Sequence, residues 1–159
     1  MEIMEWQKDD YILSTDKSRI DISAVHDFLS QSYWAEGIPR ETVKRCIENS
    51  LCFAIYHHEM LVGFARAISD FATFAYLADV FVLPGHRGKG LSKWLIQIIL
   101  DHPQLQGLRR FTLATKDAHG LYAQFGFTLF DKPERWMHRH DPDVYREKNI
   151  EQGTRNDER

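Results

Sequence analysis

Residues 80–102 of the chain read VFVLPGHRGKGLSKWLIQIILDH, three kinds of segment in succession. Val80, Phe81, Val82 and Leu83 make an apolar, strand-forming run. His86, Arg87, Gly88, Lys89, Gly90, Leu91 and Ser92 follow as a cationic, glycine-rich loop. Leu91, Trp94, Leu95, Ile98 and Ile99 then recur at i, i+3, i+4, i+7 and i+8, the spacing of a helix with one apolar face. A glycine loop that ends a strand and opens a helix gathers backbone N–H groups at one place, and the helix dipole adds partial positive charge there. Such a corner suits an anion, above all a phosphate. Glycine contributes by reaching positive φ and letting a ligand approach the backbone. Arg87 and Lys89 supply formal charge beside those donors.

Two common phosphate motifs do not fit. The Walker pattern GxxxxGK[ST], laid on residues 85–92, puts Leu91 where the phosphate-binding lysine belongs. The dinucleotide fingerprint GxGxxG starts at Gly88 and Gly90 but meets Lys93 at its third glycine. On the loop alone, a turn that opens a buried helix without any ligand stays open as a reading.

Outside the loop, composition narrows the field. A chain of 159 residues with 43% hydrophobic content suffices for one well-cored domain and is short for two. We expect that domain over residues 1–145, with 146–159 as a charged, flexible tail. The formal net charge of −3 gives no reason to expect nucleic acid as a partner. No apolar run approaches the roughly 18 residues of a membrane span, and the first residues, MEIMEWQKDD, lack a signal-peptide pattern. The expected setting is cytoplasmic. Cys46 and Cys52 read as small buried hydrophobes.

Taken in order, residues 11–16 form a first strand, and residues 22–29 and 40–49 form two helices. An aromatic loop, Gln31 through Pro39, lies between the helices. Residues 51–56 and 61–68 form a hairpin across His57, His58, Glu59 and Met60, and residues 73–83 form the next strand. After the glycine loop and its helix come a strand at 111–115, a short helix capped by Asp117, and two final strands near 127–130 and 135–140.

The loop Arg87, Gly88, Lys89, Gly90, Leu91, Ser92 resembles the R/Q-x-x-G-x-G/A pyrophosphate loop of the GCN5-related N-acetyltransferases (GNAT), with Ser92 in place of the last Gly or Ala. Downstream, Leu121, Tyr122, Ala123, Gln124, Phe125, Gly126 and Phe127 resemble that family's LYxxxGF signature. The order of strands and helices matches the family's from about residue 11 to 140. The family's Asn seven residues before the tyrosine is replaced by Thr115. The resemblance implies an α/β fold of the α+β kind: a mixed, mostly antiparallel sheet of six to seven strands, helices on both faces, splayed where the coenzyme enters. It further implies acetyl-coenzyme A as co-substrate, no metal, and direct acetyl transfer to a primary amine in a ternary complex. The amine would belong to a small molecule or to a peptide or protein, and the enzyme would be a monomer or homodimer. A non-catalytic acyl-coenzyme A-binding module on the same fold is the alternative.

Acetyl transfer needs a neutral amine, and an amine with a pKa of about 10.4 is neutral at pH 7 only about once in 2,500, a handicap of about 4.6 kcal/mol. Asp79, the lone acid within residues 73–83, is the candidate to relieve it, directly or through a water; a strand-end structural role is the competing reading. Backbone groups at Phe81 and Val82 are the expected donors to the developing oxyanion, and the resemblance implies that this strand segment also bonds the pantetheine arm. By resemblance, Tyr122 protonates or hydrogen-bonds the departing thiolate, and Thr115 is a coenzyme contact. Tyr33, Trp34 and Glu36 offer an aromatic wall with an acid for a cationic acceptor, and the aromatics of this loop read equally as a lid over the core. His57 and His58 read as a solvated turn, His119 as a surface or capping residue, and His138 and His140 as a pair without further metal ligands.

Overall fold

The structure, a computed structural model, describes residues 1–157. Its elements in chain order are β1 (Glu5–Lys8), β2 (Tyr11–Ser14), α1 (Ile22–Leu29), α2 (Arg40–Glu48), β3 (Leu51–His57), β4 (Met60–Ser69), β5 (Phe74–Val82), α3 (Leu91–Asp101), β6 (Arg110–Leu113), α4 (His119–Ala123) and α5 (Val144–Asp157). Two compact units result: one from Met1–Asp21 with Arg45–Thr128, the other from Ile22–Lys44 with residues from Leu129 onward.

The first unit is built on one sheet whose spatial order equals its chain order, β1 to β6. All neighbours are antiparallel except β5 and β6, which run parallel. Residues 51–56 are buried without alternation, as a strand covered on both faces must be. From α3, Leu91, Leu95, Ile96 and Ile99 enter the core with Leu13, Phe53, Ile55 and Leu77. Asp70 makes the β4–β5 turn: its carboxylate accepts from the backbone N–H of Ala72, Thr73 and Phe74 and from the Thr73 hydroxyl. Those bonds, led by that hydroxyl, hold its carboxyl well below the usual carboxylate range. Cys52 is fully buried, and burial pushes its thiol up to about 12, as suits a core residue.

The second unit carries α1, the aromatic loop after it, and α5. In the loop, Ala35 donates to Ser32 Oγ, while His26 Nε2 lies 2.9 Å from the Ile38 carbonyl oxygen. Asn149 of α5 donates through Nδ2 to the Gly37 carbonyl at 2.9 Å.

Several expectations need correction. The strands expected at 127–130 and 135–140 are absent; that stretch is exposed and irregular apart from a 3₁₀ turn at Pro133–Arg135. Alternating apolar residues supply strand propensity, but a strand also needs a neighbouring strand to pair with, and among the described residues none pairs with this stretch. β1 was not foreseen, because Trp6 is the only apolar residue among its four. Asp117 does not cap α4: Thr115 Oγ1 accepts from the Ala118 N–H at 3.0 Å instead. The expected tail from residue 146 is helical through Asp157; Glu158 and Arg159 of that tail lie outside the described residues. Among the described residues no helix is long and apolar enough to cross a membrane.

Candidate active site

The parallel pairing of β5 with β6 ends at Leu77 opposite Leu113, while β5 continues for five more residues beside β4 alone. Along that second half the pairing slips: Phe64 faces Phe81, but Arg66 faces Ala78, so Asp79 and Val80 together oppose Ala65. This is a β-bulge, and Asp79 takes φ +56° within it, a region that costs an ordinary residue about 1–2 kcal/mol. Phe81 and Val82 are buried and finish the strand. One edge of the strand is therefore left without a strand partner, as a polar, extended ligand would require.

The strand runs into a 3₁₀ turn, Pro84–His86, and then into the glycine loop. Gly88 and Gly90 both sit at φ +77°, and a Cβ on Gly88 would meet nothing within 4 Å. Gly90 caps α3 and can offer no side chain to its first turn, so that turn's N–H groups lack a side-chain acceptor. The donor set fits an anionic group such as a pyrophosphate. Arg87 donates through Nε to the Val82 carbonyl at 2.9 Å, tying the loop to the strand end rather than reaching outward. Lys89 Nζ lies 3.4 Å from the Tyr11 hydroxyl, and a Cβ at Gly90 would come 3.3 Å from Lys8 Nζ. Leu91 is buried and Ser92 half-buried at the helix start.

Tyr122 is buried on α4 and belongs to the same apolar cluster as Leu77, Val82 and Leu91. Phe127 stands edge-on to its ring at 5.8 Å. Gly126, at φ +86°, turns the chain there, and the Phe127 N–H returns to the Tyr122 carbonyl. Thr115 uses its hydroxyl oxygen within this turn, so at least one of its lone pairs is locally committed.

Asp79 is ion-paired. Arg66 donates through Nε to its Oδ2 at 2.6 Å, with the two side chains only 14% and 7% exposed. Arg66 also donates to Ser50 Oγ at 3.1 Å. Burial alone would lower the arginine's pKa, but the Asp79 charge and hydrogen bond together raise it. Our reading of the chain missed Arg66. The signal was present: it is the one charged residue within 61–68, as Asp79 is within 73–83, and the two runs are neighbouring strands. A lone buried cation calls for a buried acid.

Tyr33, Trp34 and Glu36 belong to the second unit and are all exposed. Trp34 stands edge-on to Tyr33 at 5.1 Å and packs at 6.2 Å from Phe28. Beside the glycine loop, a group also absent from our reading comes together: the Tyr11 hydroxyl lies 2.9 Å from His86 Nδ1, and His57 packs against both rings. Burial first, then His57 and Lys89, keep His86 below the usual histidine range.

Comparison with known proteins gives a consistent result. Residues 2–127 match the sequence model of the acetyltransferase (GNAT) family. A GNAT-family protein from Xanthomonas campestris pv. campestris, solved by crystallography, is 54% identical, with 85% of this chain and 96% of that one covered and a TM-score of 0.83. The acetyltransferase-family protein FG08082 of Gibberella zeae is 32% identical over 142 residues, 75% of this chain and 79% of its own length. A Clostridium acetobutylicum protein crystallised with acetyl-CoA shares the fold at a TM-score of 0.61 and 16% identity, with 82% and 94% of the two chains covered.

Proposed function

This chain belongs to the acetyltransferase (GNAT) family, and we propose that it transfers the acetyl group of acetyl-coenzyme A directly to a primary amine. Acetyl-CoA-dependent acetyl transfer is the family's general reaction. The observation that carries the reading is a glycine loop, with Gly88 and Gly90 at positive φ, that follows the end of β5 and opens α3. When bound, the coenzyme supplies an activated thioester. The end of β5, which runs beside β4 and beyond its pairing with β6, lies next to the coenzyme's arm, and the N–H groups of Gly88, Gly90 and the first turn of α3 receive its phosphates, with Lys89 adding charge. Tyr122 donates its hydroxyl proton to the departing sulfur. For Asp79, the ion pair with Arg66 favours fixing the bulge over taking the amine proton, because a carboxylate that leaves that bond strands a buried guanidinium. A water in the site is then the better acceptor for the proton. Within the second unit, Tyr33, Trp34 and Glu36 present ring faces and a carboxylate, a combination that attracts cations.

Calorimetry with acetyl-CoA is the test. The chain should bind it, and Gly90→Asp should weaken binding at least about tenfold by occupying the loop with a side chain and a like charge. Equal affinity in both forms would remove the loop assignment. Acetyl-CoA-dependent thiol release across an amine panel separates an enzyme from a coenzyme-binding module.

A further inference from the structure

The register that pairs Tyr11 with His57 sets two tight turns side by side at one end of the sheet. Asp9 and Asp10 turn the chain between β1 and β2, and His58 and Glu59 turn it between β3 and β4. The Asp10 carboxylate oxygen Oδ2 lies 3.3 Å from His57 Nε2 and 3.9 Å from His58 Nε2. One ligand atom from each of the three residues lies within 4.8 Å of the others, and this is the one such group of His, Cys, Asp and Glu among the described residues. The two imidazole rings lie with centroids 4.1 Å apart and planes tilted by 57°.

A second observation comes from the backbone. His58 and Glu59 occupy φ +48° and +69°, where a two-residue hairpin turn favours Asn and Gly. Retaining a histidine in that conformation opposes the local preference of the chain. Such strain persists where a side chain has work at that position.

We propose that Asp10, His57 and His58 bind a divalent transition metal of the zinc class, joining the β1–β2 turn to the β3–β4 turn. Two imidazoles and one carboxylate suit zinc, cobalt, nickel or copper rather than magnesium or calcium. Metal–ligand bonds of about 2.0–2.2 Å in a tetrahedron place ligand atoms about 3.3 Å apart. The Asp10–His57 separation already has that value. His58, 73% exposed on its turn, has to close by at most about 1.5 Å, which a side-chain rotation supplies. Three protein ligands leave the fourth position to water. The site borders a cavity of about 380 Å³ lined by Lys8, Tyr11, Lys89 and Leu91 as well as Asp10 and His57. The two lysines oppose a cation there, and the high exposure of Asp10 and His58 screens that repulsion.

The experiment uses the tag-free full chain, with Zn²⁺ for calorimetry and Co²⁺ for its visible absorption. One equivalent of Zn²⁺ should bind, and Co²⁺ should give the intense bands of a four-coordinate site. Asp10→Asn and His58→Asn should each weaken Zn²⁺ binding at least about tenfold, since even outer-shell changes reach that size. His58→Asn has a second readout of opposite sign. It relieves the turn, so without metal its melting temperature should rise, while the increase caused by Zn²⁺ should vanish. His138→Ala, which removes one ring of the stacked His138–His140 pair, should leave Zn²⁺ affinity unchanged. The proposal is overturned if the unaltered chain binds no stoichiometric Zn²⁺, or if binding survives Asp10→Asn and His58→Asn and is lost in His138→Ala.

Discussion

From Ala75 to Leu77, β5 has a paired strand on each side; from Ala78 to Val82 it has β4 alone, and its ladder is broken at Asp79. The first half behaves as sheet interior: Ala75 and Leu77 are buried and their register is regular. The second half holds a bulge, a residue at positive φ and a buried ion pair, and it runs beyond the pairing with β6. One strand thus contains two kinds of structure in succession. Its regular half is set by burial, and its irregular half is held in place by a charge pair.

Paired substitutions in the two halves test that division most severely. Asp79→Asn removes the carboxylate charge and leaves Arg66 buried and unpaired, so it should cost about 3–5 kcal/mol of stability and also reduce turnover. Leu77→Ala should cost a comparable amount, about 2–5 kcal/mol, yet leave kcat per folded molecule close to its original value. Urea unfolding alongside steady-state kinetics reads both quantities. If the two variants lose stability and turnover in the same proportion, the halves are not functionally distinct. A rate deficit in Asp79→Asn that shrinks at high pH, where the amine deprotonates itself, would return the base role to Asp79.

A smaller effect is expected from one hydroxyl. Tyr122→Phe keeps the ring that packs with Val82 and Leu91, so the fold and coenzyme affinity should be preserved. The loss should fall on kcat, about 10²-fold, since an interaction with the departing sulfur grows only as its bond breaks. Full turnover with chemistry rate-limiting would make Tyr122 a packing residue.

Acid should produce the mildest response, and it should come from outside β5, at His102. His102, just past α3, accepts the Gln104 N–H at Nδ1, while its buried Nε2 has no hydrogen-bond partner. Burial holds its pKa below the ordinary value, so the fold prefers it neutral. The unfolded chain binds the extra proton. Stability from this source is therefore complete above about pH 6.5 and declines as pH falls below it, by at most about 1.4 kcal/mol per pH unit. His102→Asn should flatten the change in urea midpoint between pH 7.5 and 5.5. An unchanged slope would assign the acid sensitivity to other histidines.

Much of this arrangement was legible in the chain. Strong periodicity in α3 and unbroken apolar runs in β3 and β4 identify themselves, Gly88 and Gly90 mark the turn that opens α3, and Tyr122 stands out only by resemblance to the family's signature. What stayed hidden depended on partners. β1 is polar and becomes a strand only because Glu5–Lys8 can pair with β2. Residues 127–140 have the alternation of strands but pair with no strand among the described residues, so they form none. Asp79 was visible as a lone acid, but its engagement with Arg66 follows from the register of β4 on β5. His57 reads as part of a solvated turn and His86 as part of the glycine loop, and only the fold brings their rings together around Tyr11. Local chemistry is written locally; cross-strand chemistry waits for the register.

The sheet's order also has a bearing on how the chain assembles. β3, β4 and β5 follow one another through short turns, so this meander can form early from near neighbours. Only two seams demand long closures: β2 must meet β3 across α1 and α2, and β6 must meet β5 across α3. The glycine loop lies on the route that closes the second seam, and the two histidine-bearing and acid-bearing turns bridge the first. A ligand at either place fastens contacts that form late. It should therefore slow unfolding while leaving the folding rate almost untouched, and protection from unfolding would be a kinetic signature of occupancy.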